Sequence, residues 1–384
     1  MTIRKKLTIG IVSFFISSGM LFAAVTQTRA ATPSKLKVAV WMPYWKADDA
    51  VLEALAHTDV ITEMSPFAYE IQSDGKIKDT LASTTEPFSY LYENLEGKNI
   101  PIIPSILWTS RLQMQTILNS KIKRDAHIKE IVTLVKKNKY AGIDIDYEGK
   151  SAETRVGFST FLIDLQKQLK KNKKTLACTI EARTPVDSRY ATVTPELLAR
   201  IEYANDYKVI GKVCDEVRLM TYDQAGDDQT LEVQNKAGAY KAVADIEWVK
   251  KVVTLTLNDI PAKKLFVGVP TYGYKYEIIP PAGNATSTKY ARIGAMNYKY
   301  ADELATQLHI TPTRHASGEI YYTYSTTTDL YGNSLGGTKQ YLIWYSDAAA
   351  IGDKVRIAKL YRLAGVAVFK VDGANDPLMW SVLK

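Results

Sequence analysis

Eight short β-rich runs, separated by stretches of helical periodicity, constrain the fold of this sequence more than any other feature. They are Val38 to Trp41, Val60 to Ala68, Ile100 to Leu107, Gly142 to Tyr147, Leu176 to Ile180, Glu216 to Thr221, Leu265 to Pro270 and Gly365 to Phe369. Between them apolar residues recur every three or four positions, as in Ile128, Ile131, Val132 and Val135, and in Phe158, Phe161, Leu162, Leu165 and Leu169. Strand and helix in alternation make parallel pairs joined by crossovers, and eight such units in about 340 residues predict a (β/α)8 TIM barrel. A doubly wound open sheet is the alternative, but the first strand runs into WMPYWK rather than a glycine-rich phosphate loop. The stretch from Tyr274 to Trp344 is too long for a loop and carries a helical patch, Tyr298 to Leu308, and a strand-like run, Glu319 to Tyr324. It predicts a small α+β insertion at residues 274–343, between strands seven and eight of a catalytic barrel covering residues 36–384.

The N-terminal segment stands outside that frame. Arg4, Lys5 and Lys6 precede an apolar run from Ile9 to Val25 and a small-residue site ending Thr28-Arg29-Ala30, which predicts a signal peptide over residues 1–30. The alternative is an uncleaved anchor, but the run is short for a span of about 20 residues and is broken by Ser17, Ser18 and Gly19. The mature protein is therefore expected to be secreted or wall-associated, with no stable membrane association. Cleavage removes four basic residues and no acids, so the formal charge falls from +8 to +4. That modest excess suits an anionic wall polymer, whereas no basic block with interleaved aromatics points to nucleic acid. Cys178 and Cys214 form no CxxC pair and have no neighbouring His, so no metal or redox site is expected. Both lie in apolar runs, and two buried thiols are expected rather than a disulfide.

The chemistry concentrates in YAGIDIDYEGK, residues 140–150. Strand side chains alternate, so Asp144, Asp146 and Glu148 share one face while Ile143, Ile145 and Tyr147 take the other. In a barrel the acids point inward, with Glu148 last, at the C-terminal mouth where such barrels carry chemistry. Carboxylates about 6–7 Å apart along one strand repel in a low-dielectric interior, so at least one is expected to hold a proton, as a general acid requires. A calcium loop is disfavoured because the twelfth position of the D-x-D-x-[DN]-G pattern is Arg155. A solvated acidic edge is disfavoured by the alternating isoleucines.

AGIDIDYE resembles the fourth-strand signature DGxDxDxE of the glycoside hydrolase family 18 chitinases, with Gly142, Asp144, Asp146 and Glu148 matching and Ala141 replacing the first Asp. Met220-Thr221-Tyr222-Asp223 is similar to the family's MxYD, and GVPTYGYKY, residues 268–276, to its GxPxYG segment. WYSD, GVAVFKVDG and DPLMW at the end are most similar to the spore-cortex and peptidoglycan-lytic branch.

The resemblance implies retaining hydrolysis of β-1,4-linked N-acetylglucosamine glycans, chitin or peptidoglycan, in which the substrate's own 2-acetamido oxygen is the nucleophile. It implies that Glu148 protonates the leaving oxygen and then activates water. Asp146 would orient the acetamide N–H, Asp144 would share a proton with Asp146, and Tyr222 would hold the acetamide carbonyl. Asp223, Met220, Tyr272 and Phe369 are expected to contact the sugar, with no metal or organic cofactor and a monomer as the expected state. The family usually has Trp at the position of Phe369, and Phe offers a smaller stacking face without an indole N–H. Trp41 and Phe67, with Tyr44, Trp45, Tyr69 and Trp108, sit at predicted strand ends where they either stack on sugars or pack the core. Trp344 and Trp380 read as packing residues, while Glu181 either reaches the cleft or pairs with Arg183. A lectin-type relative without activity is the rival reading, disfavoured because all four catalytic positions are filled.

Overall fold

The computed structural model describes residues 35–80, 85–235, 238–281, 287–329 and 331–384. The predicted signal peptide lies outside the described residues. Among those described, no helix is long and apolar enough to cross a membrane.

All eight predicted strands form, as Lys37–Pro43, Glu63–Ile71, Ser105–Trp108, Gly142–Tyr147, Thr175–Glu181, Glu216–Met220, Leu265–Pro270 and Gly365–Phe369. Each pairs in parallel with its neighbours, and the first strand pairs with both the second and the last, so the sheet closes into a barrel. A short strand, Ile77–Asp79, adds antiparallel to the second.

Two boundaries move for local reasons. The second strand begins at Glu63 because the N–H groups of Val60 and Ile61 both bond back to the His57 carbonyl, ending the preceding helix. The third is reduced to Ser105–Trp108, with only an isolated bridge at Ile102, because Pro101 and Pro104 cannot donate to a ladder.

The helices bury the stripes read from the sequence. Ile128, Ile131 and Val135 of Lys121–Lys137, and Phe158, Phe161, Leu162, Leu165 and Leu169 of Arg155–Lys171, are buried. They pack with Ile143, Ile145 and Tyr147, the outward face of the fourth strand. Gly142 opens that strand because a Cβ there would lie 2.3 Å from the Thr175 carbonyl oxygen of the neighbouring strand.

The insertion spans Tyr272 to Tyr345. It is a five-stranded antiparallel sheet in the order Lys289–Asn297, Tyr272–Ile279, Ser334–Tyr345, Ile320–Thr328, Thr313–Arg314, backed by the helix Tyr298–Gln307. The buried Glu319 carboxylate fastens it to the barrel, accepting from the N–H groups of Val243 (2.9 Å) and Ala244 (3.0 Å) and from the Trp344 indole (2.7 Å). Trp344 and Trp380 are both buried packing residues.

The expectation of free thiols is corrected: Cys178 and Cys214 form a disulfide with their Cα atoms 6.1 Å apart. Cys178 faces outward on the fifth strand. Asp215 donates its N–H to Leu176 of that strand, which brings the residue before it alongside Cys178. Distance in sequence hid this proximity.

Candidate active site

The fourth strand ends at Tyr147, and the backbone carries Glu148 one residue further to the barrel mouth. Its N–H bonds the Trp108 carbonyl of the third strand at 2.8 Å, fixing the side chain's starting point. Gly149 then takes φ +67°, a left-handed conformation costly for other residues, and donates its N–H to Glu181 Oε1 at 2.8 Å. The turn thus lifts the chain off the strand without displacing Glu148.

The three ladder acids have three environments. Asp144 is fully buried and saturated with donors: Ser105 Oγ (2.6 Å), Trp41 Nε1 (3.2 Å) and Arg218 Nη1 (3.1 Å) on one oxygen, and Thr179 Oγ1 (2.8 Å) on the other. A guanidinium and three neutral donors thus surround it. Asp146, by contrast, is buried with its Oδ1 lacking any hydrogen-bond partner. Burial, together with the charges of Glu148, Asp144 and Glu181, pushes the Asp146 carboxyl well above the ordinary range. Glu148 is half-buried, and its carboxyl is also raised, by burial first and then by Glu181 and Asp223, against the pull of Lys150. On the ladder it is the Asp146 and Glu148 carboxyls that are raised.

Tyr222 follows the sixth strand, which a single strand separates from the ladder. Its hydroxyl is held far above the usual range by burial and by the charges of Asp146, Glu148, Asp223 and Asp144, so it remains an O–H donor. Its ring stacks on Phe369, with centroids 5.4 Å apart and planes 17° from parallel. Asp223, at φ +55°, accepts from the hydroxyls of Tyr272 (2.9 Å) and Tyr274, tying the sixth-strand loop to the insertion. Tyr272 stands edge-on to Phe369 at 6.0 Å, and Met220 pairs in register with Glu181. Glu148, Asp146, Tyr222, Asp223, Tyr272 and Phe369 thus gather at one end of the barrel.

Trp41 and Phe67 do not serve as open sugar platforms. Trp41 is 2% exposed, spends its indole N–H on Ser105 and Asp144, and meets Phe369 edge-on at 5.9 Å. Phe67 is 7% exposed beneath Trp45, whose ring is 48% exposed. The exposed aromatic pair at the mouth is Tyr44 and Trp45; Tyr69 and Trp108 are buried in the outer core.

Two residues, Arg218 and Lys150, escaped the sequence reading. Arg218 spans the barrel interior, bonding Ser65 Oγ (2.7 Å), Asp144 and Glu63. Lys150 is buried with its ammonium bonded to the Tyr147 carbonyl and 3.5 Å from Glu181. Burial lowers its pKa, opposed by Glu181, Asp146 and Glu148. Glu181 pairs through Oε2 with this lysine rather than with Arg183, and Asn205 Nδ2 donates to the same oxygen at 2.6 Å. A lysine two places beyond Glu148 was the one visible signal. Among the described residues no group of three His, Cys, Asp or Glu is placed to hold a metal ion.

The family model for glycosyl hydrolases family 18 matches residues 37–374. The chain belongs to this family. Among relatives of family 18 chains like this one, the Bacillus subtilis protein YvbX, named as an uncharacterized glycosylase, is 24% identical over 268 residues, 70% of this chain and 67% of that one. The cortical fragment-lytic enzyme of Bacillus cereus is 23% identical over 328 residues, covering 84% of this chain and 67% of the relative. The crystal structure of chitinase from Chromobacterium violaceum superposes on this family 18 barrel with a TM-score of 0.70 at 17% identity, covering 91% of this chain and 98% of that one. At that identity the structure shows the shared fold.

Proposed function

We propose that this family 18 glycoside hydrolase cleaves β-1,4-linked N-acetylglucosamine glycans with retention, using the substrate's acetamide oxygen as nucleophile. One observation carries the reading: Asp146 and Glu148 rise from the same strand on the same face, with Asp146 buried below. An ordinary retaining pair flanks the glycosidic bond from two sides, about 5–5.5 Å apart, and two carboxyls stacked on one strand cannot. Membership of family 18 implies that the attacking group is instead the acetamide oxygen of the sugar itself.

Glu148, raised in pKa, donates its proton to the leaving oxygen and later takes one from water. Asp146 has a buried Oδ1 without a partner, suited to receive the acetamide N–H. Tyr222 donates its O–H to the acetamide oxygen, while Phe369 supports the Tyr222 ring and lines the sugar pocket. Lys150 limits the repulsion between Glu148 and Glu181. The disulfide supports action outside the cytoplasm, in accord with the N-terminal segment.

The acetamide is tested by comparing chitooligosaccharides with their fully N-deacetylated counterparts. The acetylated oligomers are expected to be cut and the deacetylated ones to resist, with a thiazoline analogue of N-acetylglucosamine inhibiting. Rapid cleavage of the deacetylated oligomers, or a glycosyl ester trapped on a protein carboxylate, would contradict the scheme.

A further inference from the structure

Beside the catalytic mouth, the connection after the fifth strand walls a cavity of about 440 Å³ that shares Glu181 and Lys150 with the site just described. Its lining carries four basic residues, Lys150, Arg183, Arg189 and Arg200, against two acids, Glu181 and Glu202. Two of the four cations are neutralised: Lys150 by Glu181 at 3.5 Å, and Arg189 by Asp227 at 2.9 Å. Arg183 and Arg200 form no ion pair among the described residues.

Arg183 is held in an unusual way. Its guanidinium carbon lies 3.5 Å from the Tyr203 ring centroid and 4.1 Å from that of Tyr207, so the planar group is clamped between two phenols. One N–H is used, by Nη2 to the Asn205 carbonyl at 2.9 Å. The side chain is half-buried, and its remaining donors are left at the cavity wall. A cation whose plane is fixed in advance and whose donors lack an acceptor suits a carboxylate, which it can bind through two parallel hydrogen bonds. Tyr190, Leu197 and Ile201 supply an apolar side to the same cavity.

We propose that this cavity is a subsite for a carboxylate carried by the glycan on a sugar next to the cleaved N-acetylglucosamine, as a 3-O-lactyl (muramyl) residue carries. The assignment rests on the glycan-cleaving reading above and narrows it toward peptidoglycan. An apolar wall beside Arg183 accommodates the lactyl methyl group while the guanidinium takes the charge. The same carboxylate chemistry is offered by the lactyl group itself or by an acidic peptide amide-linked to it.

The test uses the full chain with four soluble tetrasaccharides: chitotetraose, and an alternating N-acetylglucosamine–muramyl oligomer with a free lactyl acid, its methyl ester, or an acidic dipeptide on the lactyl group. The wild-type protein is expected to favour a carboxylate-bearing oligomer over the ester by about 10- to 100-fold in kcat/KM, mainly through KM. Preference for the free acid assigns the lactyl group as the source, and preference for the dipeptide assigns the peptide. Arg183→Met is expected to lose at least about ten times more on the preferred oligomer than on chitotetraose, with Arg183→Lys recovering part of the difference. Equal activity of the wild-type protein on acid, ester and dipeptide overturns the subsite, without reference to any variant. Equal losses by Arg183→Met on charged and uncharged substrates also overturn it. A protein that cuts none of the four overturns the glycan-cleaving reading instead.

Discussion

Asp146 and Tyr222 stand on different strands yet are assigned to the two ends of one acetamide, so their contributions should not be independent. Tyr222→Phe removes only the hydroxyl, and Asp146→Asn keeps the shape while removing the acid. The double variant should be scarcely worse in kcat than the more damaged single one, as expected of residues acting as a unit. Fully multiplicative losses, measured on one soluble oligosaccharide, would mean that the acetamide clamp does not exist. Period-two alternation made the ladder legible in sequence, because a strand places every second side chain on one face. It gave no access to the differences between the three acids. Those depend on Ser105, Thr179 and Arg218, which lie 39, 35 and 74 residues from Asp144. The partners that Asp144 meets come from other strands, so no local pattern in the sequence discloses them.

The barrel strands were legible as elements because each is a short apolar run ended by turn chemistry. What they enclose was not, since a charged residue within a strand does not announce its partners. Arg218 on the sixth strand faces Glu63 on the second and Glu216 beside it, a polar layer beneath the ladder. Losing Arg218 would leave Asp144 and Glu63 buried without their cation, at a cost of about 3–5 kcal/mol. Burial, opposed by Arg218 and reinforced by Glu216, raises the Glu63 carboxyl to about 8, against an ordinary value of 4.5. Between those values the folded protein holds a proton that the unfolded chain releases, so stability contributed at low pH is lost as pH rises through the window. Glu63→Gln removes that titration. Chemical denaturation from pH 5 to 8 should show a shallower decline for the variant, by a few kcal/mol at about 1.4 kcal/mol per tenfold change in proton affinity. Parallel curves for the two proteins would place the proton elsewhere. The disulfide beside this layer was missed because apolar surroundings suit a thiol and a bridge equally; only the pairing of strands five and six decides.

Across the whole molecule, the barrel gathers at one mouth acids from the fourth strand, a tyrosine and aspartate from the sixth, and aromatics from the first, last and inserted segments. The insertion was visible as a gap too long to be a loop. Its bounds fell two residues wide of those read from sequence at each end, because Tyr272 and Tyr345 already pair within its sheet. The account depends on Glu148 being the group that moves the proton. The most direct measurement is kcat for Glu148→Gln on a soluble N-acetylated oligosaccharide, with ligand affinity determined on the same preparation. The amide keeps the size and hydrogen bonding of the acid but cannot donate its proton, so turnover should fall by about 10²- to 10⁴-fold while binding persists. Turnover within a few-fold of the wild-type protein would remove Glu148 from its role and contradict the account.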